Sequence, residues 1–553
     1  MVISRIEASK TEIKITVSGS EKELADRLKS PFTFRTLAFV PQINAGGTGA
    51  KYPGRCVFEA VLNENEVEVS GDTLILTLER NAGYDLLICR FEVYLCFGEP
   101  GREEKLGGVS YVNAFAPMFS ECTDKGPKQG WPVGTWLIAP DEDIEYMHFG
   151  CMMDEIDLAW ILSLGKEGDI VHEWNGRQYY FDRSIVELHD RFLSKLARKG
   201  IPCLIRFINR DGYQNKNADG RLFEILKHPC YEAGGKDVEI SGFNLRTEEG
   251  VNYYCACLDF IISRYSNPES PYGWSTIIDI GNEVNAAGTW YNSGPMLMED
   301  LEEEYSVALR LAWQIARKYH SDYQVHVSVE HNFAGTDNPD RRYFYPARDF
   351  LLKLAEYTRR DGDFDWGVSA HPYPENLLYP DFYNDRIPVF SFDTRKITLK
   401  NMEVWPAFLS RPEVSYEGRQ RRVLFDEQGF NTRTGVPYTE EQGAYAFVLA
   451  YLKFMQADGI DYLLIHRHVD LQDSDEYGLH LGLRYAGPGG YLDDEHIFPE
   501  PGRRKLICHA IAAMTTDAEE LWVRRARSYI GEALFDELMN VPEIDPGSMG
   551  AAK

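Results

Sequence analysis

Two glutamates occupy positions from which they could do chemistry together. The apolar run STIIDI leads into Gly281-Asn282-Glu283-Val284-Asn285, and the run RRVLF leads into Asp426-Glu427-Gln428-Gly429. A carboxyl at the end of each of two strands is the minimum for hydrolysing a glycoside. One protonates the leaving oxygen while the other attacks or activates water. Proton donation near neutral pH needs one carboxyl with a raised pKa, and a neighbouring carboxylate helps to raise it. Asn282, directly before Glu283, is placed to bind a sugar hydroxyl, a contact that strengthens in the transition state. One glutamate at a strand end is more often a solvated loop carboxylate; the pair, with Asn282 in front of Glu283, favours chemistry. Asp426, beside Glu427, is the alternative nucleophile.

Other strand ends are equally polar. WGVSA ends in His371-Pro372-Tyr373-Pro374, VHVSV in Glu330-His331-Asn332, and IDYLLI in His466-Arg467-His468 with Asp470 close behind. His371, Tyr373, His466 and Arg467 are candidates for holding a sugar. Trp290 and Tyr291, after the Glu283 loop, either stack on a sugar face or pack that loop onto the protein. Arg206, Arg210 and Arg467 either meet a substrate carboxylate or pair with nearby Asp and Glu, the commoner outcome. A rival reading gathers His466, His468, Asp470, His326 and His371 into a metal site. His466 and His468 share a side only if the strand stays extended beyond its end. No metal and no cofactor is expected.

The positioning of these groups falls to strands alternating with helices. Strands are expected at about 144–152, 201–209, 275–283, 322–332, 365–374, 421–430 and 460–468, with a first one in GWPVGTWLIA followed by a stunted connection. Helices fall between them, in EGVNYYCACLDFIISRYS, LEEEYSVALRLAWQIARKY, RDFLLKLAEYTRR and EEQGAYAFVLAYLKFMQAD. Another follows WNGRQYYFD, where Ser184 and Glu187 have capping-box spacing and Gly200 stops the run. About eight repeats of strand and helix give an α/β fold, a closed (β/α)8 TIM barrel, whose sites lie at the C-terminal ends of the strands. An open doubly wound sheet is the runner-up, but no G-x-G-x-x-G or G-x-x-x-x-G-K follows any strand. Ahead of the barrel, EIKITVSG, RTLAFVPQ, CVFEAVL, EVEVS, TLILTLER and LLICRFEVYLCF read as short strands of an antiparallel β-sandwich. The expected division is 1–110 for the sandwich, 111–530 for the barrel and 531–553 for a C-terminal tail.

With these motifs in order, the chain resembles clan A of the glycoside hydrolases, barrels with catalytic glutamates after strands four and seven. STIIDIGNE is then strand four and RRVLFDEQGF strand seven. The resemblance implies a retaining mechanism with Glu283 as acid/base and Glu427 as nucleophile. His371-Pro372-Tyr373 is similar to the clan's His-Tyr feature after strand six. It covers roughly residues 130–515. Many clan members end strand eight in Trp, where this chain has His466-Arg467-His468, so the floor of its sugar site differs. The chain also looks like a little-characterised bacterial branch of the clan, sharing WNG…YYF and IHRHVD segments, which implies no particular sugar.

Composition agrees with a folded protein of this size. The chain has 553 residues, 44% hydrophobic and 26% charged, with 13% aromatic, ordinary for a globular domain apart from the aromatics. The net charge of −28 repels phosphate backbones and anionic membranes, so neither is an expected partner. The expected partner is an oligosaccharide or polysaccharide; the sequence assigns no oligomeric state. Most of the ten cysteines sit in apolar contexts, as reduced thiols do, and Cys255-Ala-Cys257 lacks zinc or redox spacing. MVISRIEASK has no apolar signal core and no run of 18 apolar residues exists, so a cytoplasmic location is expected, or a secreted or periplasmic one had a leader been removed. Two alternatives remain beside the retaining hydrolase: a non-catalytic carbohydrate-binding barrel and a metal-dependent barrel hydrolase.

Overall fold

The computed structural model describes residues 1–27, 31–43, 54–97, 102–123, 131–136, 139–211, 220–232, 240–432, 436, 438–471, 478–493 and 496–550. In the N-terminal part, alternation of buried and exposed residues gives strands, as in Glu12–Ser18, where Ile13, Ile15 and Val17 are buried. One sheet joins Val2–Ala8, Glu12–Ser18, Thr73–Glu79 and Glu68–Ser70 in antiparallel order. The short strands Gly107–Gly108 and Ala114–Phe115 add to it in parallel along Val2–Ala8. A second sheet runs Cys56–Asn63, Phe32–Phe39, Arg90–Phe97 and Glu103–Lys105. The sequence reading did not include Val2–Ala8, whose outer face carries Ser4, Arg5 and other exposed positions.

The barrel is closed by eight parallel strands. We number them β1 Val133–Trp136, β2 Cys151–Asp157, β3 Cys203–Ile208, β4 Ser275–Ile280, β5 Gln324–Glu330, β6 Gly367–His371, β7 Val423–Phe425 and β8 Ile460–Ile465. Pairing of Val133 with Leu463 joins β1 to β8 and completes the circle. The expected barrel is therefore present. The strand expected at 144–152 is not: its first part is the helix Asp141–Tyr146, and β2 begins only at Cys151. Pro140 precedes that helix, and Asp141, Glu142 and Asp143 fill its first turn, where acidic groups favour a helix N-terminus. The expected capping box is not used either. Asp182 caps the helix Arg183–Arg198 by accepting from the Ser184 amide.

Residues two apart on a strand face the same way, and this sets the barrel's interior. Cys151, Met153, Leu204, Ile277, Leu424, Tyr462 and Leu464 form one buried apolar cluster. Two residues further along the same strands come Glu155, Arg206, Asp279, Asp426 and His466. An apolar plug thus lies below a polar layer, and that layer is the floor of the site.

The N-terminal sheets rest on the two helices that flank β4, Glu248–Tyr265 and Met298–Tyr319. Arg55 pairs with Glu248, Tyr84 bonds Asn252 at 3.2 Å, and Gln314 Nε2 donates to the Val112 carbonyl at 2.9 Å. The WNG segment makes a hairpin between Ile170–Trp174 and Arg177–Phe181. Its turn residues Asn175 and Gly176 have φ of 47° and 72°, the type I′ geometry that Asn-Gly favours, and Asn175 Oδ1 accepts from the Asp85 amide. Near the C-terminus the helix Glu532–Met539 packs on the barrel, with Lys453 Nζ donating to the Leu538 carbonyl. All ten cysteines are free thiols. Among the described residues no helix is long and apolar enough to cross a membrane.

Candidate active site

Glu283 is carried past the end of β4 by a sharp turn. Gly281 has φ 86°, and a Cβ there would come within 2.8 Å of the Tyr291 ring. Glu283 itself is left-handed at φ 38°, ψ 53°. For a residue with a Cβ that costs on the order of 1–3 kcal/mol, and the surroundings must hold it. They do so through Ser328 Oγ, which accepts the Glu283 amide at 3.1 Å, and through the Ala286 amide, which donates to the Glu283 carbonyl at 2.7 Å. Glu427 lies two residues beyond β7, beside the polar layer.

The two carboxylates meet around His371, at the end of β6. His371 Nδ1 is 2.7 Å from Glu283 Oε1 and 3.9 Å from Glu427 Oε2. Arg206 Nη1 donates to Glu427 Oε2, and its Nη2 donates to Asp426 Oδ2. Tyr373 OH donates to Glu427 Oε1 at 3.1 Å and lies 2.8 Å from His466 Nδ1. The structure therefore brings Glu283, Glu427, His371, Tyr373 and His466 into one cluster. Asn282 is 6% exposed, with Oδ1 lacking a protein donor. Arg467 follows His466 and is buried, and Trp290 ends the single-turn helix Ala287–Trp290, partly exposed. Arg206 and Arg210 both pair with carboxylates of the protein, Arg210 with Glu155 at 2.6 Å. Asp426 is 0% exposed and lies beneath Glu427, without a surface on the cleft.

The environment drives the two glutamates apart. Burial raises the pKa of Glu283 and the nearby Glu427 charge adds to this, while the His371 hydrogen bond works the other way. Burial also opposes ionisation of Glu427, but His371, His466 and Arg206 overcome it and hold its pKa down to about 2. His466 is itself kept neutral by burial, at about 3, so near neutral pH the charge support of Glu427 comes from Arg206 and His371. Burial would lower the pKa of His371; Glu427 and Asp426 reverse this and raise it to about 10. Arg206 Nη2 lies 3.1 Å from His371 Nε2, and its positive charge opposes that proton. In either charge state Nδ1–H donates to Glu283.

One functional group went unrecognised in the sequence. Glu330, at the end of β5, is a third carboxyl next to Glu283, its side chain 12% exposed. Burial and then the Glu283 charge raise its pKa to about 8, and Asn332 Nδ2 donates to it at 2.8 Å. Its signal was only that of one more polar strand end.

The histidine-based metal reading does not assemble. His468 Nε2 lies 2.8 Å from Asp143, and Asp470 takes Lys505 at 2.8 Å, whereas His466 faces Tyr373. Among the described residues Glu283, His371 and Glu427 do converge, with ligand atoms within 4.8 Å of one another. The Arg206 guanidinium already occupies that carboxylate and its fixed charge opposes a cation there.

The profile of the DUF5722 family, described as a family of unknown function, matches residues 137–538. No curated protein matches the chain. Among solved structures, a family 39 glycoside hydrolase from the gut symbiont Bacteroides cellulosilyticus aligns over 94% of this chain and 83% of its own, with 14% identity and a TM-score of 0.42. A β-glucuronidase from Ruminococcus gnavus aligns over 94% of this chain and 68% of its own, at 11% identity and a TM-score of 0.35. Another from Bacteroides uniformis aligns over 87% and 47%, at 10% and 0.32. Overlays this loose assign no activity.

Proposed function

The chain belongs to the DUF5722 family, and we propose that it is a retaining glycoside hydrolase acting on an oligosaccharide or polysaccharide. The observation that carries this reading is the convergence of Glu283 and Glu427 on one imidazole nitrogen, Nδ1 of His371, with a carboxylate oxygen of each within 4.8 Å of the other. That spacing favours double displacement, for which the carboxyl groups stand about 5–5.5 Å apart, over inversion at about 6.5–9.5 Å. The opposed pKa shifts assign the roles. Glu427, ionised and held by Arg206 and Tyr373, attacks the anomeric carbon. Glu283 protonates the leaving oxygen and then takes a proton from the water that releases the sugar. His371 occupies Glu283 Oε1, which leaves Oε2 to carry the proton. Asn282, Trp290, His466 and Arg467 are proposed to bind the sugar. Neither step needs a cofactor.

The test is turnover on a panel of aryl glycosides, followed by trapping with an activated 2-fluoroglycoside. The expected result is a mass increase of one glycosyl unit on the peptide that contains Glu427. Labelling on another carboxyl would reassign the nucleophile. Sugar binding without turnover of any substrate would favour the non-catalytic barrel.

A further inference from the structure

Below the nucleophile lies a pair of carboxyl groups that the proposed reaction does not use. Asp279 points inward from β4 and Asp426 from the end of β7, and both are 0% exposed. They lie in the same inward-facing polar layer, close enough for each to act on the other's ionisation. Asp279 Oδ1 accepts from Ser369 Oγ at 2.5 Å, and Asp426 Oδ2 accepts from Arg206 Nη2. The other Asp279 oxygen, Oδ2, has no protein donor, and Asp426 Oδ1 has only the His371 imidazole, 3.4 Å away. Two neighbouring carboxylates in a buried site repel, and an unpaired acceptor on Asp279 is costly. A proton on Asp279 removes both penalties.

We propose that Asp279 and Asp426 share one proton, carried by Asp279, and that the pair is a positioning device that holds Arg206 against Glu427. The groups facing the pair fix which partner keeps the charge. Arg206 from β3 bonds Asp426 and acts on Asp279 only through its charge, and His371 from β6 faces Asp426. Asp279 faces the Ser369 hydroxyl, with His326 of β5 beyond it, 3.3 Å from Ser369 Oγ and kept neutral by burial. Burial accordingly drives the Asp279 pKa well above the carboxylate range, while His371 and Arg206 overcome burial at Asp426 and hold it well below.

The inference rests on Glu427 as nucleophile, and it explains why Arg206 spans two carboxylates. When Glu427 becomes an ester of the sugar it loses its charge. Without another partner, Arg206 would then be a buried unpaired cation. Asp426 never reacts, so Arg206 keeps its counter-ion throughout the cycle.

The test is an infrared difference spectrum of the full chain, Asp279→Asn minus wild type, near neutral pH. The expected result is loss of one protonated-carboxyl band with the carboxylate bands unchanged. Loss of a carboxylate band instead overturns the shared proton. The side-chain amide that this substitution introduces can donate to Asp426 in the same volume, so Asp279→Asn should fold and keep turnover within about threefold of wild type, while Asp279→Leu should lose about tenfold or more. Failure of Asp279→Asn to fold, or equal losses in both variants, also overturns the proposal. The spectrum does not depend on glycosidase activity. If the band is lost but no glycoside is turned over, the pair stands and the hydrolase reading falls.

Discussion

The Tyr373 hydroxyl meets Glu427 at Oε1, the oxygen opposite the one that Arg206 takes. An ionised carboxylate only accepts, so Tyr373 must donate to it. His466 Nδ1, 2.8 Å away, then donates to the Tyr373 oxygen, which fixes the neutral His466 tautomer as Nδ1–H. Removing the hydroxyl takes away one charge-assisted hydrogen bond of roughly 1.5–3 kcal/mol. Tyr373→Phe should therefore lower kcat/KM by about 10- to 100-fold and move the acidic limb of its pH profile upward, because Glu427 becomes easier to protonate. An unmoved acidic limb would mean that Tyr373 does not act on Glu427.

Glu427→Gly should abolish turnover and leave room beside the sugar. Azide should enter that space and restore cleavage of a good aryl leaving group, giving a glycosyl azide of inverted configuration. In Glu283→Ala, azide should instead speed breakdown of the glycosyl-enzyme with net retention. Asp426→Ala should show no azide rescue, since Asp426 opens onto no cleft. Product stereochemistry by NMR separates the three, and the same configuration from both glutamate variants would refute the assignment.

The pH profile follows from the two shifts. Activity needs Glu427 ionised and Glu283 protonated. It should persist as pH falls until the acidic limb set by Glu427, near 2, or until the fold fails. It should be lost as pH rises through the elevated pKa of Glu283, above the ordinary value of about 4.3. Glu330 faces Glu283 and stays protonated up to about 8, so it is neutral while Glu283 titrates. Glu330→Gln, which keeps a neutral group there, should therefore leave both limbs nearly unmoved, measured as kcat/KM against pH; a basic limb moved to lower pH would show that Glu330 is an anion beside Glu283.

EDTA should leave turnover intact, because Arg206 occupies the carboxylate that an ion at Glu283, His371 and Glu427 would need. Activity lost on chelation and restored by a single divalent metal would overturn this.

Much of this arrangement could be read in the chain. STIIDI and IDYLLI are apolar runs with nowhere to go but a buried parallel sheet, and they give β4 and β8 directly. The segment at 144–152 misled because EYMHFGCMM holds enough apolar residues for a strand, while the turn that ends the helix and starts β2 depends on Pro140 and three acids upstream. His371 and Tyr373 could be singled out because a clan feature marks them. Arg206 is harder to place, since an arginine in IPCLIRFIN carries no sign of its partners more than two hundred residues away. Glu330 was missed for a related reason: its importance lies in facing Glu283 across two strand ends, and only the register of β4 and β5 creates that pairing.

Glu302, inside the helix Met298–Tyr319, is 0% exposed and neither carboxylate oxygen has a donor. Burial raises its pKa well above the usual range. It is protonated in the fold and ionised when unfolded, so its penalty on stability grows as pH rises past about 4.3. Glu302→Met should raise stability by about 1–3 kcal/mol, with a larger gain in Tm near pH 8 than near pH 4. A gain that is the same at both pH values would show that Glu302 is not protonated in the fold.

The N-terminal sheets lean on the two helices on either side of β4, the strand that ends at Glu283. Cutting them away would strip cover from Glu248, Asn252, Gln314 and their neighbours, and would loosen the braces of the strained turn on which the acid/base sits. A shortened barrel would then fail first in proton donation rather than in folding. Substrates with activated leaving groups, which need no proton, would outlast natural glycosides. The smallest unit that carries out the full reaction is thus set by what steadies one glutamate, and it extends well beyond the eight strands.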